Sequence, residues 1–295
     1  MARSLTPCER IERSILTEFR KTLWKPFIAA IKRYDMIHAG DRIAVCISGG
    51  KDSMLLAKLL QELHRHSPVP FELEFIVMDP GYNPVNRRRI EENAALMEIP
   101  VRIFESDIFD AAANAERNPC YLCARMRRGF LYDRAQELGC NKIALGHHFN
   151  DVIETTVMGM FYGSQLQAML PKLHSHNFDN MELIRPMYMI HEDAIRAWCA
   201  ANELRFIQCA CRFVEARDAS MDGVGDSKRQ EIKVLLQTLR QTNPDVEKSI
   251  FNSIHAVSLD TMPGWKIRGR EYSFLDAYDR WPDTTATLLN TDQLP

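Results

Sequence analysis

A short run of small and polar residues stands between two segments that predict regular structure. An apolar, β-rich run covers Arg42–Ile47, and a helical pattern extends from Lys51 to His66. At such a strand-to-helix turn, backbone amides and the helix N-terminus converge and favour an anion. The residues of this turn are Ser48, Gly49, Gly50, Lys51, Asp52 and Ser53.

The composition of this turn favours phosphate binding. Two glycines let the backbone approach a ligand closely, the serines offer hydroxyl donors, and Asp52 offers a carboxylate that can hold Mg²⁺ beside the phosphates. The spacing differs from the G-x-x-x-x-G-K-[ST] loop of other nucleotide-binding proteins. A capped polar turn without a ligand is the alternative, and the full hexapeptide makes it the weaker one.

A second chemical group consists of thiols. Cys120 and Cys123 have C-x-x-C spacing and follow Pro119 in a predicted loop before a helical pattern from Arg125 to Leu138. Zinc, a redox disulfide and an iron–sulfur cluster all fit such a pair, and a third thiol is available downstream. That third candidate is Cys209 or Cys211. The other cysteines stand alone in apolar or helical patterns and are predicted to pack in the core: Cys8, Cys46, Cys140 and Cys199.

Polar residues also follow two later predicted strands. Asp79 follows Leu73–Met78, while Gly146 and His147 end a strand before the helix that Asp151 begins. The carboxyl ends of parallel strands face a ligand crevice, so these groups can bind a ligand or steer Mg²⁺. A turn-opening aspartate and a capped helix start are the alternatives.

The composition predicts a folded protein. The chain has 295 residues, 46% of them hydrophobic, and a formal net charge of -2, which excludes a disordered chain and a uniformly basic nucleic-acid coat. No apolar run approaches the roughly 20 residues needed to cross a bilayer. The first residues mix charges into their apolar positions, unlike a signal peptide, so we expect a cytoplasmic protein without membrane attachment.

Strand and helix patterns alternate along most of the chain. Predicted strands at residues 42–47, 73–78, 101–104 and 142–146 alternate with helices at 51–66, 86–97, 125–138 and 151–161. This alternation predicts an α/β fold, a Rossmann-like parallel sheet covered by helices. Apolar residues at i+4 steps from Glu9 to Ile37 predict a long N-terminal helix, kinked near Pro26.

The hexapeptide SGGKDS resembles the loop of the PP-loop (N-type) ATP pyrophosphatases, which cleave ATP between its α and β phosphates to adenylate a substrate oxygen. The resemblance implies that this loop binds ATP with Mg²⁺, and that Met78 and Asp79 lie where the family holds adenine and ribose. It assigns Gly146 and His147 to the same nucleotide site.

The segment from Pro119 to Tyr132, PCYLCARMRRGFLY, is similar to the first cysteine motif of the tRNA 2-thiocytidine synthetases, the TtcA-like branch of that superfamily. Further motifs occur in the family's order over roughly residues 10 to 255: GHHFND, MFYGS, AMLPKL and IRPMY. Members hold a [4Fe-4S] cluster with three cysteines and leave one iron free to accept sulfur. The resemblance therefore implies that Cys120 and Cys123 bind such a cluster.

The third cluster ligand is where this sequence departs from the family pattern. A compressed C-A-C replaces the family's second C-x-x-C. Cys209 is the first choice because it follows the apolar run Leu204–Ile207 as the family's ligand follows its strand, and Cys211 is the alternative. The family's two acids after the histidines are here Asn150 and Asp151, so only Asp151 is assigned a catalytic role, beside Asp52, Cys120 and Cys123.

Together these resemblances imply an ATP-dependent tRNA sulfurtransferase that adenylates C2 of an anticodon-loop cytidine and replaces its oxygen with sulfur. Arg127 and Arg128, beside the cysteine pair, and Lys172 are the RNA-binding candidates, although charge runs are usually solvated faces. A cysteine desulfurase would fit as the sulfur donor, and a homodimer is left open. The alternatives are a PP-loop ligase or amidotransferase partner without a cluster, and a zinc-stabilised RNA-binding module.

These assignments divide the chain into four predicted parts. Residues 1–39 form an N-terminal helical arm, and residues 40–220 form the PP-loop ATPase domain with the cysteines. A C-terminal helical segment occupies 221–280, and 281–295 form a flexible tail.

Overall fold

The computed structural model describes residues 4–108, 119–207, 224–276 and 278, but not the side chains of 119–121, 124 and 224–227. The chain forms two compact units, Met1–Glu247 and Lys248–Pro295. Among the described residues, no helix has the length and apolar character of a membrane span. Cys209, Cys211 and the predicted tail lie outside the described residues, and the predicted domain boundaries stay a prediction.

The first unit contains a six-stranded sheet in the order β3-β2-β1-β4-β6-β5. All neighbouring strands are parallel except β5 and β6, which are antiparallel. The predicted α/β fold with a largely parallel sheet is therefore confirmed. The strands are β1 Arg42–Ile47, β2 Glu72–Asp79, β3 Val101–Glu105, β4 Lys142–Ala144, β5 Lys172–His174 and β6 Glu182–Ile184.

Helices connect and cover these strands. Because β1, β2, β3, β4 and β6 run in one direction, each connecting helix returns the chain across the sheet, and the strands' carboxyl ends gather at one edge. The α-helices described in the first unit, or crossing its end, are α1 Pro7–Leu16, α2 Lys25–Arg33, α3 Lys51–His66, α4 Pro84–Leu96, α5 Pro119–Glu137, α6 Phe149–Gly163, α7 Glu192–Ala201, α8 Val224–Thr242 and α9 Val246–Ser253.

Helix α5 differs from its sequence prediction. It begins at Pro119 rather than at Arg125, so the C-x-x-C pair occupies the first helical turn and not a loop. A proline suits the start of a helix because its fixed φ matches helical geometry and its missing N–H would have no intrahelical acceptor there. The thiol pair thus lies at the positive end of a helix dipole.

Helix α5 packs over one face of the sheet through Tyr132 and Ala135. Cys46 and Cys140 belong to the same buried cluster, and burial raises their thiol pKa values to about 12 and about 11. Cys8 is also buried, whereas Cys199 is only partly buried. The predicted core positions of Cys8, Cys46 and Cys140 are confirmed.

The N-terminal arm is helical over most of its length, with a π-helix at Arg20–Trp24 between α1 and α2. This wider turn lies just before Pro26, where the sequence predicted a kink, and Pro26 itself is in the first turn of α2. The predicted apolar stripe is buried at Ile11, Ile15, Phe19, Leu23 and Phe27.

A buried lysine connects this arm to α3. Lys58 is only 1% exposed, and its ammonium lies 2.6 Å from Glu12 Oε1, 2.8 Å from Gln61 Oε1 and 2.8 Å from the Met97 carbonyl. Burial alone would raise the pKa of Glu12, but hydrogen bonds from Arg65 and Lys58 lower it to about 2. The ion pair therefore joins α1, α3 and the end of α4.

The second unit contains a hairpin of β7 Gly264–Ile267 and β8 Arg270–Ser273. Trp265 and Tyr272 stack across it with ring centroids 5.9 Å apart, and a short 3-10 turn follows at Phe274–Asp276.

We predict that Lys58→Met lowers the free energy of unfolding by about 3 kcal/mol, because it removes the buried ammonium that pairs with the partly buried Glu12 carboxylate and with the Met97 carbonyl. Lys266→Met is the control, since Lys266 also forms an ion pair, with Glu271, but both of those side chains are exposed. The control should leave the free energy of unfolding nearly unchanged. Denaturant unfolding followed by circular dichroism measures both, and equal losses would contradict this role for Lys58.

Candidate active site

The turn between β1 and α3 is closed by its own serines. Ser53 Oγ accepts hydrogen bonds from the Ser48 N–H at 3.1 Å and the Ser48 hydroxyl at 3.2 Å, and it donates to the Gly50 carbonyl at 3.0 Å. Gly50 is the N-cap of α3 and provides no side-chain cap. The first N–H groups of a helix have no intrahelical acceptor, so this turn presents donors to an anion.

Two glycines allow close packing at this turn, one against side chains and one against backbone. Gly49 has φ +82°, and a Cβ there would lie 2.5 Å from Ile90 Cγ1 and 2.7 Å from Ile207 Cδ1. A Cβ on Gly146 would lie 3.1 Å from the backbone nitrogen of Ser53. Larger residues at either position would push the turn away from its neighbours.

A cavity of about 450 Å³ opens beside the turn at the carboxyl edge of the sheet. Its volume is within the range of small-molecule sites. It brings together predicted residues that are far apart in the sequence. Those that line it are Ser48, Asp52, Ser53, Met78, Arg127, Arg128, Gly146, His147 and Asp151.

The carboxylate of Asp52 is suited to a cation. Its Oδ2 lies 3.1 Å from Lys51 Nζ, whereas its buried Oδ1 accepts no hydrogen bond from the described residues. His148 Nε2 is 3.8 Å from that Oδ1. A carboxylate oxygen without a donor, next to a phosphate-binding turn, fits Mg²⁺ coordination.

Lys51 is held between two carboxylates. Its ammonium also lies 3.1 Å from Oε1 of Glu192, the first residue of α7. Burial would lower the pKa of Lys51, but Asp52 and Glu192 outweigh it and raise that pKa. The pKa of Glu192 is lowered to about 2, because Lys51 and further cations outweigh its burial. The cation of Lys51 is therefore fixed beside the turn.

Arg229 is a cavity residue that the sequence analysis missed. It reaches in from α8, with Nη2 2.5 Å from Asp151 Oδ1 and Nε 2.8 Å from Glu154 Oε2. The other Asp151 oxygen accepts the His148 N–H at 2.9 Å. The i,i+3 spacing of Asp151 and Glu154 places both acids on one face of α6, and this spacing was the sequence feature that could have indicated a basic partner. Nothing in the sequence paired them with α8.

His147 is neutral at pH 7. Burial, followed by the nearby charge of Arg185, lowers its pKa to about 4. Its Nδ1 is buried without a hydrogen-bond partner among the described residues. A neutral imidazole on the cavity wall can donate to or accept from a bound base or sugar.

Asp79 makes the contacts of a turn-opening aspartate, which the sequence offered as the alternative to a ligand contact. Its Oδ1 accepts hydrogen bonds from the N–H groups of Gly81 at 2.9 Å and Tyr82 at 2.7 Å, and its Oδ2 lies 2.6 Å from Arg87 Nη1. Burial opposes ionisation, but these bonds outweigh it and lower the pKa of Asp79. The carboxylate thus opens its own turn, and a ribose contact stays a prediction.

Cys123 and the segment that ends at Ile207 both lie near the carboxyl edge of the sheet. Cys123 is buried. Burial raises the pKa of Tyr82, the Arg127 guanidinium lowers it and the Cys123 thiol raises it, so both groups lie near Tyr82. The Arg205 carbonyl accepts a hydrogen bond from Asn93 at 3.0 Å, and Ile207 contacts the turn at Gly49. A cluster bound by Cys120, Cys123 and a third thiol therefore stays a prediction.

The RNA-binding candidates occupy two different places. Arg127 and Arg128 line the cavity. Lys172 instead lies in β5, with its ammonium 2.6 Å from the Asp35 carbonyl and 3.9 Å from Glu182 Oε1. Glu182 begins β6, so this ammonium is near the opposite edge of the sheet. An RNA contact by Lys172 stays a prediction.

Comparison with known proteins identifies clear relatives. A family model described as a PP-loop domain matches residues 20–211. A tRNA-cytidine(32) 2-sulfurtransferase of Citrifermentans bemidjiense is 35% identical over 250 residues, which cover 84% of this chain and 93% of the relative. The same-named protein of Aeromonas salmonicida is 32% identical over 94% of this chain and 92% of its own.

The fold is also similar to a solved structure. The U34-tRNA thiolase NcsA from Methanococcus maripaludis, determined with its [4Fe-4S] cluster, superposes with a TM-score of 0.62 at 22% identity. The match covers 82% of this chain and 80% of that one, which confirms the Rossmann-like architecture.

We predict that Gly49→Ala destabilises the protein by about 1–3 kcal/mol more than Gly40→Ala. Both glycines have positive φ, +82° and +84°, so an alanine is strained at either, but a Cβ at Gly40 meets nothing within 4 Å. Only the Gly49 variant adds overpacking against Ile90 and Ile207.

Denaturant unfolding and ATP titration of both variants test this. ATP affinity should fall in Gly49→Ala alone. Equal stability and equal ATP affinity in the two variants would contradict the close packing of the turn.

Proposed function

This chain belongs to the PP-loop family that includes the tRNA-cytidine(32) 2-sulfurtransferases, and from this membership we propose that it thiolates a tRNA cytidine with ATP as the activating substrate. The observation that supports this best is a single cavity at the carboxyl edge of the sheet. That cavity is lined by a phosphate-binding turn, by Asp52, one of whose oxygens accepts no hydrogen bond from the described residues, and by the arginines that follow the C-x-x-C pair on α5.

In the first step, the O2 atom of the cytidine attacks the α-phosphorus of ATP, and the bond to pyrophosphate breaks. Backbone N–H groups of the turn and the Ser48 and Ser53 hydroxyls hold the phosphates. The free oxygen of Asp52 would hold Mg²⁺, which neutralises developing charge on the leaving pyrophosphate. Lys51, fixed between Asp52 and Glu192, adds a positive charge beside the same phosphates.

Adenylation prepares the base for substitution, because AMP is a far better leaving group than oxide. Sulfur at the oxidation level of sulfide adds to C2, and the C2–O bond breaks as AMP leaves with the oxygen. Neutral His147 accepts or donates a hydrogen bond at the base or sugar. Asp151, paired with Arg229, can take a proton from the reacting base.

Three thiolates would hold a [4Fe-4S] cluster in this site: Cys120, Cys123 and Cys209, with Cys211 as the alternative third ligand. When bound, the cluster supplies an open iron position for the sulfur that is transferred. The helix start at Pro119 favours anionic ligands at its first turn. Ile207 brings the chain to the phosphate turn only two residues before Cys209.

Substrate RNA would reach the cavity over α5. Arg127 and Arg128 line the cavity and can contact tRNA phosphates, whose neutralisation dominates RNA affinity. A cysteine desulfurase is the proposed sulfur donor, and the cytoplasm is the proposed location. A homodimer fits the exposed apolar side chains at the end of α6 and in the following loop, which are Met160, Phe161, Leu166 and Leu170.

We predict that Asp52→Asn reduces pyrophosphate release from ATP in the presence of tRNA by roughly 100-fold or more, because the amide cannot neutralise a cation at the leaving group. Asp193→Asn is the matched control, as Asp193 also lies in the first turn of a helix but its side chain is 66% exposed. The control should keep wild-type turnover. Unchanged turnover in Asp52→Asn would exclude its role in the nucleotide site.

We predict that Cys120→Ala, Cys123→Ala and Cys209→Ser each lose iron and sulfide together, whereas Cys211→Ser keeps most of both. Cys46→Ala and Cys140→Ala are controls that should retain iron, because these thiols lie in the core cluster. Iron and sulfide are measured on protein purified without oxygen. Stoichiometric zinc without iron in the wild type would contradict the cluster, and exchanged phenotypes of the 209 and 211 variants would make Cys211 the ligand.

A further inference from the structure

A second cavity, of about 550 Å³, lies along α5 beside the turn that joins β5 and β6. Arg125, Arg128 and Tyr132 line it from the helix, and residues 173–178 line it from β5 and the turn. We propose that it binds one nucleotide of the substrate RNA, next in the strand to the base that reacts. This inference rests on the proposed function and adds a location for the RNA.

The charge of this cavity favours a phosphodiester. Two guanidinium groups and the imidazoles of His174 and His176 line it, and none of the described residues in its wall has a carboxylate. The cations also lie close to a further one: burial, and then the charge of Arg128, lowers the pKa of Arg185 to about 10. Such a group of like charges is stabilised by an anion, and RNA phosphates supply it.

The aromatic wall of the cavity is already ordered. Phe178 stacks on Tyr132 with ring centroids 4.8 Å apart and planes 8° from parallel. Ser175 Oγ accepts hydrogen bonds from the N–H groups of Asn177 at 3.3 Å and Phe178 at 3.2 Å, which fixes the turn that holds the ring. Aromatic rings together with arginines are the usual contacts for unpaired RNA bases.

The position of the cavity matches a nucleotide beside the reacting one. Arg128 lines both this cavity and the one at the phosphate turn, so the two are neighbours. Arg125 and Arg128 are one helical turn apart on the same face of α5. The β5–β6 turn lies at the amino edge of β6, so the cavity extends along α5 away from the phosphate turn. Its arginine end, at Arg128, is where the phosphate next to the reacting base would lie.

The size and exposure of the cavity also favour RNA. Its volume is typical of a site for a ligand of nucleotide size. Arg125, His174 and His176 are exposed at its rim, which leaves the phosphate side of a bound nucleotide open to the continuing strand. An isolated metabolite would gain nothing from that opening.

The test measures binding of an anticodon stem-loop RNA to the full chain. Arg125→Ala should weaken binding about tenfold and make the slope of log K against log salt shallower by roughly 0.7, the change for one lost single-strand phosphate contact. His176→Ala should weaken binding about threefold. Arg20→Ala is the control, because it removes an exposed arginine of the N-terminal arm, and should change affinity less than twofold.

A cross-linking measurement guards against variants that fold poorly. An RNA with 4-thiouridine next to the target cytidine should cross-link wild-type protein within residues 173–178. If Arg125→Ala and His176→Ala bind like Arg20→Ala, or if no cross-link falls in 173–178, this inference is overturned while the proposed function stands. A wild-type protein that binds no RNA would overturn both.

Discussion

The close approach of backbone segments at the end of β1 is the constraint on which the site depends. At Gly49 the backbone lies against the side chains of Ile90 and Ile207, and at Gly146 it lies against the backbone of Asp52 and Ser53. No Cβ fits at either glycine without movement, so the turn that presents N–H groups to an anion is also the point where α4, β4 and the segment before Cys209 meet. A shift of the turn would therefore move the nucleotide site and the cysteine segment together.

Alternating charges organise the cavity around that turn. Lys51 is held by Asp52 and Glu192, and Arg229 is held by Asp151 and Glu154. These pairs are partly or largely buried, where Coulomb interactions are stronger than in water. A polyphosphate with its cation can exchange partners with them, since it brings both negative charge for the lysine and arginines and positive charge for the acids. The cavity is thus ordered before its substrates arrive.

Much of this arrangement could be predicted from the sequence because it follows from local patterns. Short apolar, β-rich runs predicted β1 to β4, and helical apolar patterns predicted most helices. Two glycines with an aspartate at the end of a strand indicated the phosphate turn. The start of α5 was wrong, because Pro119 reads equally as the end of a loop or the first residue of a helix. Arg229 was missed, since its partner Asp151 lies on a distant helix and only tertiary packing joins them. The strand-end position of Asp79 suggested a ligand contact, and that contact stays a prediction, since the structure shows only that its oxygens contact its own turn and Arg87.

In our proposal, one cavity binds ATP, activates a tRNA cytidine and transfers the sulfur to it. Mass spectrometry of tRNA nucleosides from cells that lack this protein tests it most directly. We expect 2-thiocytidine to be absent, to return with the wild-type chain, and to stay absent with a Cys123→Ser chain that still releases pyrophosphate from ATP in the presence of tRNA. Normal 2-thiocytidine in cells without the protein would contradict the account.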